Sequence, residues 1–168
     1  MVSHQMPLQS DCHILIRNRR FALGLLGATA LALGLPGCAS KPVVSQIQLS
    51  LGAAADVNPD SKNRPSPIAI RIYALKTATV FESSDFFSLF EKDSATLGQE
   101  IVKREELLLR AGETKQLDWA LPPEAKFLAV LGAYRDLEHA RWRAVKPIEV
   151  GKAVNSKIKF GARLVSFE

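Results

Sequence analysis

The sequence is poor in the residues on which catalysis and metal binding are usually built. It holds two cysteines and three histidines. Cys12 and Cys38 both lie near the N-terminus, and no thiol follows them. A domain built from the residues after Cys38 has no disulfide and relies on its apolar core. His139 is the one histidine beyond Cys38, so no His/Cys cluster at metal-ligand spacing exists. A Ser-His-Asp triad would have to use His139, but no G-x-S-x-G elbow accompanies it, and a surface turn histidine is the simpler reading. The ten glycines are scattered, none in a G-x-G-x-x-G phosphate loop. Glu105 and Glu106 are adjacent carboxylates, but neighbours on a strand point to opposite faces. A carboxylate pair assembled across the fold, as in glycosidases, stays open. No catalytic residue, metal site or cofactor is assigned.

Charge of one sign is lacking too. The formal net charge is +5, and Arg17, Arg19 and Arg20 against Asp11 supply part of it ahead of Cys38. No basic stripe with interleaved aromatics follows, which speaks against nucleic acid as a partner. No apolar run reaches the ~20 residues of a spanning helix. Internal repeats and low-complexity segments are absent.

What is present begins with a leader. Phe21 to Leu35 is uncharged and follows the basic cluster, the pattern of a secretory signal over residues 1–37. Leu35-Pro36-Gly37-Cys38 resembles a bacterial lipobox, although Pro36 is an uncommon residue there. On this reading Cys38 becomes the acylated first residue of the mature protein. Several acyl chains, at ~0.8 kcal/mol per buried CH₂, hold a protein on a bilayer far more firmly than one chain. Ala39, a non-Asp residue after the cysteine, implies transport to the outer membrane. The alternatives are an ordinary cleaved signal or an uncleaved anchor, with Cys38 incidental. Arg19-Arg20-Phe21 is a poor twin-arginine match, and Met6 is an alternative start.

Residues 38–45 then read as a tether and 46–168 as a single domain, long enough for its own core. Ile47, Leu49 and Leu51 alternate with polar residues, as in a half-buried strand. Ala53 to Pro67 breaks all periodicity, with Pro59, Pro65 and Pro67 among Asx and Ser residues. It is predicted as an exposed loop and, from its length, as the first candidate binding element. Ile68 to Leu75 alternates again, with Arg71 and Tyr73 on the second face. From Val80 the period becomes helical: Ser84 is the expected cap, Asp85 suits the first turn, and Phe86, Phe87, Leu89 and Phe90 make an apolar face. This predicts a helical insertion at about 80–98, packed on a sheet, with Leu97 as a core residue.

Ile101–Leu109 fits helix or strand by pattern, and strand is favoured because Ala111-Gly112-Glu113 reads as a tight turn after it. Further strands are expected over Thr114–Trp119, Phe127–Tyr134 (central), Arg141–Val145 with Trp142 inward, Val154–Phe160 and Leu164–Phe167. About seven or eight short strands with turn signals between them predict a mainly β protein, an antiparallel β-sandwich.

Several stretches in order carry a resemblance. They are Asn58-Pro59-Asp60, Arg64-Pro65-Ser66-Pro67, Ile70-Arg71-Ile72-Tyr73-Ala74-Leu75 and Ser84-Asp85-Phe86-Phe87-Ser88-Leu89. Then come Glu105-Glu106-Leu107, Ala111-Gly112-Glu113, Ala133-Tyr134-Arg135-Asp136-Leu137 and Ala140-Arg141-Trp142-Arg143. Downstream of a lipobox, this set resembles the type VI secretion outer-membrane lipoprotein family (TssJ, also called VasD or SciN). The resemblance implies a transthyretin-like β-sandwich that is not an enzyme, held on the periplasmic face of the outer membrane. It implies binding to the periplasmic C-terminal part of TssM, an inner-membrane protein, and through it to TssL. It also implies that the loop after the first strand contacts TssM. Here the matching positions are Asn58, Pro59, Asp60, Arg64, Pro65 and Ser66, with Ser61-Lys62-Asn63 inserted where relatives often carry a glycine. No small-molecule substrate is expected. The rival readings are a lipid-anchored small-molecule or glycan-binding sandwich, with Trp119, Trp142 and Tyr134 converging at the surface, and a hydrolase using scattered carboxylates.

Overall fold

The computed structural model describes residues 43–168. The predicted signal, Cys38 and the tether through residue 42 lie outside the described residues. The first strand, β1 (Ser45–Ala53), buries Ile47, Leu49 and Leu51 and turns Gln46 and Gln48 outward, the period of two made physical. It starts at Ser45, a residue the sequence assigned to the tether. Ser45 is buried and its Oγ accepts from the Gly151 N–H at 2.9 Å.

β2 (Ile68–Leu75) follows the loop, then come α1 (Thr79–Ser83), α2 (Phe86–Glu91), α3 (Asp93–Leu97) and a 3₁₀ turn at Gly98–Glu100. β3 (Ile101–Leu109), β4 (Thr114–Leu121), β5 (Phe127–Gly132), β6 (Arg143–Pro147), β7 (Val154–Phe160) and β8 (Val165–Phe167) complete the chain. They form two four-stranded sheets, β4-β1-β7-β8 and β3-β2-β5-β6. One pairing departs from the antiparallel expectation: β1 and β7 run parallel. A parallel pair needs a long crossover, and here the whole second sheet and its insertion supply it. Gly112, at φ +75°, makes the turn through which β3 of one sheet passes to β4 of the other.

The main core lies between the sheets and includes Leu49, Leu51, Ile70, Ile72, Val130, Ile158 and Phe160. Fully burying each such side chain stabilises by ~1.5–3 kcal/mol. Gly132 has no room for a side chain, because a Cβ would sit 2.9 Å from Ile68 Cδ1 and 3.0 Å from the Tyr134 ring.

A second core covers the other face of the β2–β5 pair, where Tyr73, Leu75, Ala129 and Leu131 meet Phe81, Leu89 and Leu97 of the insertion. β5 is therefore covered on both sides, as its apolar run required. Helices this short are unstable alone, and arginines from the sheet hold them. Arg71 donates from Nε to Glu106 Oε2 at 2.6 Å and from Nη1 to the Phe90 carbonyl. Arg143 donates to the carbonyls of Phe81 and Ser84. Asp93, 5% exposed, accepts from Arg104 Nη1 at 2.6 Å and from the Tyr73 hydroxyl at 3.1 Å.

Three local expectations change. Asp85 caps α2, accepting the Ser88 N–H at 3.0 Å, while Ser84 ends α1. Phe87 is 59% exposed, so the apolar face of α2 is Phe86, Leu89 and Phe90. The β6 strand begins at Arg143, because Arg141 makes a single parallel bridge to Leu164 instead. Trp142 lies half-buried against both cores.

The ends of the sandwich are distinct. At one, the Gly151 N–H reaches Ser45, the Lys126 N–H reaches the Leu75 carbonyl and the Ile148 N–H reaches the Lys126 carbonyl. At the other, the Ala54 N–H donates to Phe160 and the Ala133 N–H to Ala69. β1 runs from the first end to the second, and its length at ~3.3 Å per residue separates them by about 25 Å.

Candidate functional site

The loop between β1 and β2 lies at the second end. Its prolines and positive-φ residues, Asn58 at +48° and Asn63 at +58°, deny it a ladder, and asparagine is among the residues that tolerate this region. It is nonetheless tightly ordered. Val57 is fully buried in the main core. The Asn58 carboxamide donates from Nδ2 to the Pro67 carbonyl at 2.9 Å and accepts the Arg135 N–H on Oδ1 at 2.8 Å. Ser66 N–H donates to the Val57 carbonyl at 3.1 Å, and Asp60 N–H to the Arg64 carbonyl at 2.9 Å.

Asp60 organises the tip. Its Oδ1 accepts the backbone N–H groups of Lys62 and Arg64, both at 2.9 Å, and its Oδ2 accepts Arg64 Nε at 2.8 Å. The Arg64 side chain, and then its backbone N–H, hold the Asp60 carboxyl down to about 2.

The loop is thus not exposed throughout. Asn58 and Ser66 are buried, at 3% and 9% exposure, and form its frame. Pro59 and Asp60 are half-buried, while Ser61 to Pro65 project outward, the Arg64 side chain 71% exposed.

Facing the loop is the turn after β5. Tyr134 is buried beside Gly132, and burial pushes its phenol well above the usual tyrosine range. Its hydroxyl has no partner among the described residues. Asp136 accepts from Arg163 Nε at 2.8 Å and pairs with His139 Nδ1 at 2.7 Å. The hydrogen bond with His139, with that of Arg163, lowers the Asp136 carboxyl and, in return, Asp136 raises the exposed His139. His139 is therefore a surface turn residue, as expected.

Between loop and turn lies an open cleft bordered by Pro59, Asp60, Arg64, Arg135, Asp136 and Arg163. The sequence named Asn58, Pro59, Asp60, Arg64, Pro65 and Ser66. Tyr134-Arg135-Asp136 carries part of the resemblance and also reads as a candidate site, although an Arg and an Asp flanking a turn more often fix that turn. Nothing in the sequence points to Arg163. Asn58 and Arg135 are 77 residues apart, and no local pattern announces that they meet.

The cleft brings two carboxylates together, which the hydrolase reading required. Each is paired with an arginine and shifted down, so neither serves as the protonated acid that glycoside cleavage needs. The glycan reading fares no better: Trp119 and Tyr134 are 2% and 4% exposed and form no surface platform. Among the described residues, no group of His, Cys, Asp or Glu could hold a metal ion.

Residues 45–163 match the family described as type VI secretion lipoprotein, VasD, EvfM, TssJ. Among solved structures, the chain is similar to the lipoprotein TssJ1 from Pseudomonas aeruginosa, with 31% identity and a TM-score of 0.72 over 76% of this chain and 96% of that one. It is also similar to Serratia marcescens Lip, described as a membrane-bound component of the type VI secretion system, with 25% identity and a TM-score of 0.69 over 76% and 97%. A chain in a structure of the TssM C-terminal domain from EAEC shares the fold, with 23% identity and a TM-score of 0.63 over 73% and 97%. A comparison with curated protein sequences returns no match. The chain therefore belongs to the type VI secretion lipoprotein family, whose members are parts of a membrane complex and not enzymes.

Proposed function

We propose that this chain is an outer-membrane lipoprotein that ties the periplasmic C-terminal part of TssM, and through it TssL, to the periplasmic face of the outer membrane. Acyl chains on Cys38 hold one end, and the loop between β1 and β2 grips the partner at the other. The observation that carries this reading is the separation of the two ends of the sandwich. The N-terminus enters the fold at Val43 and Ser45, while the loop sits about 25 Å away along β1. A domain so arranged is a spacer between a membrane and a partner. Val57, Asn58 and Asp60 order the loop before any partner arrives, which reduces the ordering cost of binding. Within the loop, Arg64, Pro65 and the half-buried Pro59 and Asp60 make the contact, and Asn58 and Ser66 hold them in place.

The test is a pull-down from detergent-solubilised envelopes with the acylated protein as bait, alongside a bait whose Ser61 to Arg64 are replaced by glycines. Recovery of TssM by the intact bait alone supports the reading. Recovery by both moves the contact off the loop, and recovery by neither removes the assembly role.

A further inference from the structure

The cleft beside the loop has an uneven charge arrangement. Arg64 is engaged by Asp60 and Arg163 by Asp136, at 2.7 and 2.8 Å. Arg135 borders the same cleft, and its guanidinium meets no carboxylate among the described residues. Its backbone is nevertheless fixed, because Asn58 accepts its N–H at 2.8 Å. The result is an exposed arginine on a rigid mount, flanked by two further guanidiniums whose own charges are already balanced.

We infer that this cleft receives an acidic side chain of the protein partner, with Arg135 as the group that pairs with it. This deepens the partner reading above and rests on it. A guanidinium presents a planar fork of N–H donors that matches a carboxylate with two parallel bonds. The Asp60–Arg64 and Asp136–Arg163 pairs are each close to neutral, so among the residues that border the cleft the uncompensated charge is that of Arg135, and it sets where the carboxylate sits. A lipid phosphate offers similar chemistry, but position favours the protein. The cleft is at the end of the sandwich about 25 Å from the point where the N-terminus enters, on the side of the partner and not of the anchoring leaflet. Arg135 is exposed, and the loop frame uses its backbone N–H and not its side chain, so its replacement leaves that frame intact.

The experiment measures binding of the purified TssM periplasmic C-terminal domain to the mature acylated protein in detergent micelles, at low and at moderate salt. Arg135→Glu is expected to weaken binding about tenfold or more, with Arg135→Gln in between. Lys157→Glu, the same charge change on the outer face of β7, is expected to bind as the parent does. The salt dependence of the parent should shrink in Arg135→Glu, since one ion pair is gone. Unchanged affinity in Arg135→Glu with normal binding by the parent would overturn the inference and leave the partner reading standing. Failure of the parent to bind would overturn both. Displacement of TssM by phosphatidylglycerol added to the micelles, lost in Arg135→Glu, would assign the cleft to a lipid phosphate and also overturn the inference.

Discussion

Replacing Asn58 by alanine tests whether this one side chain frames the loop. The carboxamide satisfies the Pro67 carbonyl and the Arg135 N–H, and both partners lose it in Asn58→Ala. A buried polar group left unpaired costs about 1–3 kcal/mol, and an ordinary hydrogen bond is worth about 1 kcal/mol net. Alanine at φ +48° adds about 1 kcal/mol of backbone strain that asparagine better tolerates. The sum is a loss of about 3 kcal/mol, a fall in Tm of roughly 10 °C for a domain of this size. Asn58→Gly loses the same hydrogen bonds but escapes the strain. A more flexible unfolded chain returns part of that gain, so it should fall at or slightly above alanine. Guanidinium unfolding of both variants measures the stabilities, and titration with the TssM domain measures the site. Binding should weaken in both, because the mount of Arg135 and the start of the loop are released together. A loss of less than about 1 kcal/mol in Asn58→Ala would refute the reasoning.

The remaining predictions concern the fold and its pH response. Burial pushes the Asp93 carboxyl up, but the hydrogen bonds from Arg104 and Tyr73 outweigh it and hold the group below its ordinary 3.8. A lowered folded value means that its stabilisation is full above the unfolded value near 3.8 and is lost as pH falls through the folded one. Asp93→Asn should therefore be less stable near neutrality, by about 2 kcal/mol for the loss of its charge-assisted hydrogen bonds, and its stability should fall less steeply below pH ~4 than the parent's, followed by circular dichroism. Gly132→Ala should destabilise by about 1–3 kcal/mol through overpacking against Ile68 and Tyr134, seen in the denaturation midpoint. Phe81→Ala empties the second core and should lose about 3–5 kcal/mol, whereas Phe87→Ser at the exposed position should change the midpoint little.

The sandwich was readable because alternation is a local property. β2 and β7 lie where alternation placed them, β3 lies where the turn after an ambiguous pattern favoured a strand, and the switch of period after Leu75 located the insertion that buries Tyr73. What escaped was set by contacts distant in sequence. The parallel pairing of β1 with β7 leaves no mark on either strand. Asp93 sits in a polar stretch that reads as a turn or a further short helix, and only the approach of Arg104 and Tyr73 makes it a buried ion. Ser84 and Asp85 are both good caps, and the choice between them depends on where α1 ends. In the loop, prolines and Asx residues signalled irregular backbone correctly. They could not distinguish a mobile excursion from one held by Val57 in the core and by Asn58 against Arg135. The same distance concealed the cleft, whose arginines come from three separate segments.

The claim of a spacer between membrane and partner is tested most directly by following TssM itself through fractionated envelopes. TssM should co-sediment with the outer membrane when the intact lipoprotein is present. That association should be lost both in Cys38→Ser and in the variant with Ser61 to Arg64 replaced by glycines. TssM remaining with the outer membrane in either variant would show that the domain is not the spacer.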